Sequence, residues 1–294
     1  MIIAGVVSGR LAALVDDRRR LFVRCRRRKG PADVMMGRTH AATGWCAGLA
    51  VAPAVGITTL AQAVVFAATT AGFALLPDLD HPGARASKLL GPVTGALSWL
   101  LRKASAGLYA VTKGPRDEDK TGTHRHLSHT VLFAAGVGAA TAAGTAAGGP
   151  WAVAAVVVFG LLLAEDALGD WLLPVAGAAV VWWVIENSPD VLGRLDEVSG
   201  WLGVAVAVGC VVHCLGDALT ESGCPFLFPL PIAGETWYEL RPPAFLRFNT
   251  GTAVENKVLL PLFVVLGVLL IPGVWSVILA TVETVLGSGS GQDA

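Results

Sequence analysis

The sequence predicts an all-α fold: a polytopic transmembrane helical bundle with a metal site at the cytoplasmic membrane face. Three observations predict it. Of 294 residues only 15% are charged and 54% are hydrophobic, whereas soluble domains carry about 25% charged residues. Mean hydropathy is +0.62, and the longest uncharged runs exceed the roughly 20 residues a helix needs to cross the hydrocarbon. The six histidines cluster at predicted helix ends on one side of the membrane.

One membrane-embedded domain accounts for residues 35–286. Residues 1–34 form a basic N-terminal extension, dispensable to the functional unit. Residues 287–294 are a Gly/Ser-rich tail, expected to be disordered. Residues 1–38 hold ten Arg or Lys against three acids. Nucleic-acid contact is one reading of that run. A cytoplasmic tail that orients the first membrane helix is the simpler one, and no nucleic-acid partner is expected. A start at Met35 or Met36 would leave the run out altogether. No short apolar core with a cleavage site follows it before His40, so it does not read as a signal peptide. The five cysteines include no C-x-x-C pair and read as small hydrophobes, not as a disulfide framework.

From Ala41 to Pro77 no residue is charged. That is too long for one span, and Pro53 and Gly56 offer a break. A hairpin follows, with helices near 41–56 and 60–76, His40 at the start of the first and Asp78, Asp80 and His81 at the end of the second. Leu89 to Tyr109 is apolar but contains Arg102 and Lys103, which predicts an interfacial amphipathic helix. Residues 83–126 carry eight basic residues against three acids, a bias that places this loop in the cytoplasm. Ser128 is the expected N-cap of an apolar helix over 129–147. Gly148-Gly149-Pro150 is a turn into a second helix, 151–164, with Glu165, Asp166 and Asp170 as a solvated end. A further helix over 171–185, a polar loop over 186–199 and a helix over 200–219 follow. Residues 220–257 are a Pro- and aromatic-rich connection. The last apolar run, 258–286, is open between one long span and a short hairpin broken at Pro272-Gly273.

The chemistry centres on Pro77-Asp78-Leu79-Asp80-His81-Pro82. Carboxylates at a membrane edge are costly unless solvated or given a cation, and carboxylate oxygen with imidazole nitrogen suits zinc, manganese or iron. Alternation of the spans puts His40, Asp78, Asp80, His81, His124, His129, Asp217 and Glu255 on one side. His213 and Asp217 are spaced i, i+4 and share a helix face. A local His–Asp hydrogen bond would use the same spacing. His126 and His129, at i, i+3, rival His124 and His129 as the pair in the third cluster. Arg125 between them reads equally as a phosphate contact and as a positive-inside anchor. Glu255 reads as a ligand or a general base.

These residues carry a resemblance. His40 after Gly-Arg-Thr, Leu-Leu-Pro-Asp-Leu-Asp-His-Pro, His-Arg-x-x-Ser-His-Thr, His-x-x-x-Asp-Ala-Leu-Thr before Gly-Cys-Pro-Phe-Leu-Phe-Pro, and Arg-Phe-x-Thr-Gly-x-x-x-Glu occur in order between about Met36 and Lys257. The chain thereby resembles the YdjM-like membrane-bound metal-dependent hydrolases, described in some bacteria as LexA-regulated inner-membrane proteins. The resemblance implies His40, Asp78, Asp80, His81, His124, His129, His213, Asp217 and Glu255 as the functional set. His126 stands where a small residue is expected and is left out. The ligand pattern is also remotely similar to that of zinc-dependent phospholipase C, which implies a reaction class only.

The expected function is metal-assisted hydrolysis of a phosphoester, in a lipid or amphipathic substrate, at the cytoplasmic side of the bacterial inner membrane. The chain would be multi-pass with its N-terminus in the cytoplasm. A divalent metal, zinc first and manganese or iron next, would be held by His40, Asp78, Asp80, His81, His124, His129, His213 and Asp217. Asp80 or Glu255 would take the proton from water, and Arg125 would steady the phosphate. The competing class is a non-enzymatic membrane protein with a structural or transported metal. A transporter would place its ionisable groups near the bilayer midplane.

Overall fold

The computed structural model describes residues 33–84, 86–169, 174, 178, 181, 185 and 189–288. Among them there is no strand, only three isolated β-bridges in the 220–248 connection. The predicted extension 1–34 therefore lies almost wholly outside the described residues. So does most of the predicted helix 171–185.

The first hairpin forms as the sequence reading places it, with one shift. Helix α1 spans Asp33–Val51, so His40 sits two turns inside the helix and not at its start. The missing signal is local: Gly37, Arg38 and Thr39 are polar or small, but none of them stops a helix. A 3-10 turn, Ala52–Val55, ends on Gly56 at φ 82°, a left-handed conformation that glycine adopts freely. Thr59 then caps α2 (Leu60–Phe73), its hydroxyl accepting from the Gln62 N–H at 3.3 Å. The two helices approach closely because glycine lines the seam. A Cβ on Gly48 would lie 2.5 Å from the Ala67 Cα. A second 3-10 turn, Pro77–Asp80, follows α2 and carries the aspartates.

Helix α3 spans Pro92–Thr112. Val93, Leu97, Trp99 and Leu100 are exposed on it, while Thr94, Ser98, Ser105 and Tyr109 are buried. Its exposed apolar side chains and its buried polar ones give it two unlike faces.

Helix α4 spans Val131–Leu168, but Gly149 inside it has φ 61° and ψ −155°. A straight helix of 38 residues would be about 57 Å long at 1.5 Å per residue. Yet Ala134 shares one core cluster with Leu163 and Ala167. The segment therefore folds back at Gly148-Gly149-Pro150 into two arms, and both ends return to the same level. Its N-cap is Thr130, which accepts from the Phe133 N–H at 3.0 Å. The expected cap, Ser128, is instead drawn inward to Asp80.

Helix α5 spans Val191–Ala218 and begins inside the predicted polar loop 186–199. Arg194 pairs with Glu197 at 3.0 Å on the solvent side, while Leu195 and Val198 pack inward against Trp201 and Leu202. The charges mark an exposed helix face, which hydropathy alone reads as a loop. Helix α5 packs against α4 and α2 at glycine contacts: Gly203 meets Gly138, and Gly209 meets the backbone of Thr70 and Phe73. The chain ends in α6 (Leu260–Leu269) and α7 (Val274–Ser288), bent 82° across the Pro272-Gly273 break. Helix α7 covers the first two residues of the predicted tail.

Among the described residues, three segments are long and apolar enough to cross a membrane: Leu60–Asp80, Val131–Glu165, which holds both arms of α4, and Val191–Ala218. The bent pair at the C-terminus would make a fourth. Helix α1 is too polar by itself, with Arg38 and His40 in its first half, and packs along α2 and α5.

Candidate metal centre

Four segments meet at one end of the bundle. The 3-10 turn Pro77–Asp80 brings Asp78 and Asp80. The loop before α4 brings His124, Arg125 and His129. The last turns of α5 bring His213 and Asp217, and α1 brings His40. Seven side chains result in three overlapping groups, each with its ligand atoms within 4.8 Å of one another: His40, His213, Asp217; Asp78, His129, His213; and Asp78, Asp80, His124.

The network assigns the proton positions. His213 Nδ1 lies 2.7 Å from the Ala74 carbonyl. A carbonyl only accepts, so Nδ1 carries a proton, and in the neutral ring Nε2 holds the lone pair. Ser128 donates its hydroxyl to Asp80 Oδ2 at 2.6 Å. Its oxygen is then the acceptor for His129 Nδ1, 2.9 Å away, and His129 Nε2 also carries a lone pair. The two Nε2 atoms face each other at 3.2 Å. Asp217 Oδ2 lies 3.3 Å from His129 Nε2 and 3.6 Å from His213 Nε2, and it has no hydrogen-bond partner. Asp78 Oδ1 stands 3.8 Å from His213 Nε2 and 4.0 Å from His129 Nε2. With both rings neutral, four acceptors crowd this point with no proton donor among them. A proton on one ring would satisfy one pair; imidazole nitrogens and carboxylate oxygens so placed could also hold a metal ion, a donor set common for zinc and similar divalent ions.

Around this point the second layer is well filled. His40 Nε2 approaches Asp217 Oδ1 at 3.4 Å, and its ring stacks on His213 with centroids 4.0 Å apart. Arg125 donates to the same Asp217 oxygen at 3.0 Å and to Thr220 at 3.3 Å. Its backbone is left-handed, φ 53°, which also aims its N–H at Asp80 Oδ2, 3.1 Å away. Asp80 is fully buried and accepts from three donors: that N–H, the Ser128 hydroxyl, and His124 Nδ1 at 2.5 Å. It orients His124 directly and His129 through Ser128. Such outer partners set ring tautomer and ligand basicity.

Two members of the expected set stand apart. His81 is exposed, accepts from the Gly83 N–H at 3.1 Å and meets only the edge of the His124 ring; it joins none of the three groups. Pro77, Leu79 and Asp80 are buried in the 3-10 turn, and His81, its extended C-cap, is left at the rim. Glu255 is buried in a π-helical turn, Glu255–Leu259, and accepts from the Thr39 hydroxyl at 2.8 Å and the Gly251 N–H at 2.6 Å. It ties the C-terminal segment to α1 and also lies outside the groups. Glu165 is likewise outside them. His126 points into an aromatic cluster with Tyr109 and Trp237, and burial holds its pKa below the usual histidine value. Sequence reasoning missed Ser128 as a relay and the Ala74 carbonyl as a partner. For Ser128 the adjacent His129 was the available signal; for a backbone carbonyl there is none.

A family model described as "YdjM inner membrane protein" matches residues 35–282. No curated protein and no solved structure matches the chain.

Proposed function

The chain belongs to the YdjM inner membrane protein family, and from that premise we propose that it is a membrane-bound, metal-dependent hydrolase. Its substrate would be a phosphoester of a lipid or amphipathic molecule at the cytoplasmic face. The observation that carries the reading is the convergence of His129 Nε2, His213 Nε2, Asp217 Oδ2 and Asp78 Oδ1 without a donor. A divalent ion bound there, zinc first and manganese or iron next, would lower the pKa of a bound water and polarise a phosphoryl oxygen. The chain's own residues do the rest. His129, His213, Asp217 and Asp78 hold the ion. Asp80 fixes His124 and His129. Arg125, already on Asp217, offers its remaining N–H groups to a phosphate.

The second reading is a structural or transported metal. A structural site is closed by its protein ligands. Here Asp78 is 25% exposed and His124 34%, while Asp217 and His213 are buried. One side of the group is open to water, and this supports catalysis. The basic bias of residues 83–126 supports a cytoplasmic position for the centre and for the N-terminus of a multi-pass chain.

The test is the metal content of the detergent-purified protein by elemental mass spectrometry, beside His213→Ala/Asp217→Ala. One or more transition-metal ions per wild-type chain, lost in the double variant, followed by turnover in a phospholipid and phosphomonoester screen, supports the hydrolase. Wild-type protein that holds no transition metal after reconstitution defeats it.

A further inference from the structure

A cavity of about 410 Å³ lies beside the centre, within the usual size range of ligand sites, roughly 300–1,000 Å³. Three helices line it. From α1 come His40, Thr43, Ala47 and Ala50, spaced three to four apart, so they form one stripe of the helix. Helix α5 supplies the opposite wall, and Phe263, Leu266 and Leu270 close the third side. The lips are apolar and exposed, Leu215 and Leu219 on one and Leu266 on the other.

The cavity is polar at one end only. His40, Thr220, Thr250 and Glu255 line that end. Two of them belong to the metal centre's surroundings as well: His40 reaches Asp217 at 3.4 Å, and Thr220 accepts from Arg125 at 3.3 Å. From there to Ala50 the walls are mainly apolar, and the Thr43 hydroxyl and Cys46 thiol on them are turned to the carbonyls of His40 and Phe263. Ten residues of helix separate His40 from Ala50, about 15 Å at 1.5 Å per residue. That is about the depth of one leaflet, half of the roughly 30 Å hydrocarbon core.

We propose that this groove receives one acyl chain of a membrane lipid, presenting an anionic phosphate headgroup to His40, Arg125 and the metal centre. The substrate class is then a lipid phosphate of the leaflet on the site's side, reached laterally through the gap between α5 and α6. This rests on the hydrolase reading for its chemistry, but the binding itself does not. A soluble phosphoester would leave the groove without purpose, and a lipid anchored elsewhere would need no leaflet-deep slot beside the metal. No charged residue lines the apolar part of the groove; at its polar end the charged side chain is Glu255, which accepts from Thr39 and Gly251, and the Arg125 guanidinium lies just behind Thr220 and Asp217.

The probe is phosphatidic acid carrying a diazirine either at the chain end or next to the ester, in phosphatidylcholine vesicles holding the full-length protein. After illumination, mass spectrometry maps the labelled residues. The chain-end probe should label near Ala50 and Leu270, and the ester-proximal probe near Thr43 and Thr220. Ala47→Phe fills the groove halfway and should cut both by roughly tenfold, with metal content unchanged as proof of folding. Val264→Phe, on the exposed face of α6 and outside the cavity, should change neither. Labelling spread evenly over outward faces, without depth order and indifferent to Ala47→Phe, overturns the proposal, as do chain-to-chain cross-links across the groove. Depth-ordered labelling by a protein that hydrolyses no phosphoester supports the groove and retires the hydrolase. Soluble phosphoester turnover without ordered labelling does the reverse.

Discussion

His129 Nε2 and His213 Nε2 lie 3.2 Å apart, and with both rings neutral neither has a proton to give the other. Each ring has committed its Nδ1 proton outward, one to the Ser128 oxygen and one to the Ala74 carbonyl. Two lone pairs at hydrogen-bond distance repel, and the nearby carboxylate oxygens of Asp217 and Asp78 add to the repulsion. The bundle holds them together at the cost of that repulsion, which a proton or a metal cation would relieve.

Metal removal should therefore destabilise the fold. A ligand that binds only the native state stabilises it in proportion to the logarithm of its concentration over Kd, about 2.7 kcal/mol at a hundredfold excess. Chelation of the purified protein should lower Tm by several degrees, about 2–4 °C per kcal/mol for a chain of this size. Added zinc should restore it. An unchanged melting curve with and without chelator would show that no ion contributes.

Ser128→Ala breaks the relay between Asp80 and His129. Loss of an outer partner typically weakens metal affinity about 10- to 100-fold. Competition against a chromophoric chelator should show that drop, and Ser128→Thr should recover part of it. Equal affinity in all three proteins would leave Ser128 without the role assigned to it.

Asp80→Asn separates two roles. A carboxamide turns one oxygen into a donor and sets it against a buried N–H or hydroxyl, a loss of about 1–3 kcal/mol. If Asp80 positions the histidines, the variant should lose thermal stability and metal together. If it retains both and loses only turnover, Asp80 is the general base instead.

Glu255→Gln and His81→Ala should keep the wild-type metal content, because neither side chain joins the converging groups. Glu255→Gln should nevertheless melt earlier, since its amide cannot accept from both Thr39 and Gly251. Metal loss in His81→Ala would return that histidine to the ligand set.

Gly48→Ala should separate α1 from α2. Its Cβ would sit 2.5 Å from a backbone atom of Ala67, which cannot rotate away, and overpacking of this kind costs about 1–3 kcal/mol. Reduced thermal stability of the detergent-solubilised protein is the readout. Unchanged stability would mean that the helix pair has room to shift.

The sequence by itself determined the class of fold and the chemistry of the donor groups. Sparse charge and long apolar runs demand membrane helices, because every backbone polar group in lipid must be paired within the helix. The breaks at Gly56, Gly149 and Pro272-Gly273 follow from residues that tolerate or force non-helical backbone. Imidazoles and carboxylates at the ends of the runs announce a cation site. Only the tertiary structure decided which of them meet. His81 and Asp80 are neighbours in sequence, yet the 3-10 turn sends Asp80 into the bundle and leaves His81 at the surface. Ser128 reads as a helix cap, but the carboxylate that claims it comes from 48 residues away. The Ala74 carbonyl that sets the His213 tautomer has no side-chain signature, and the groove beside the centre is formed by stripes from three helices. Spacing along a chain encodes which face of its own helix a residue shares. Partners across the bundle depend on how helices pack, and no local pattern carries that.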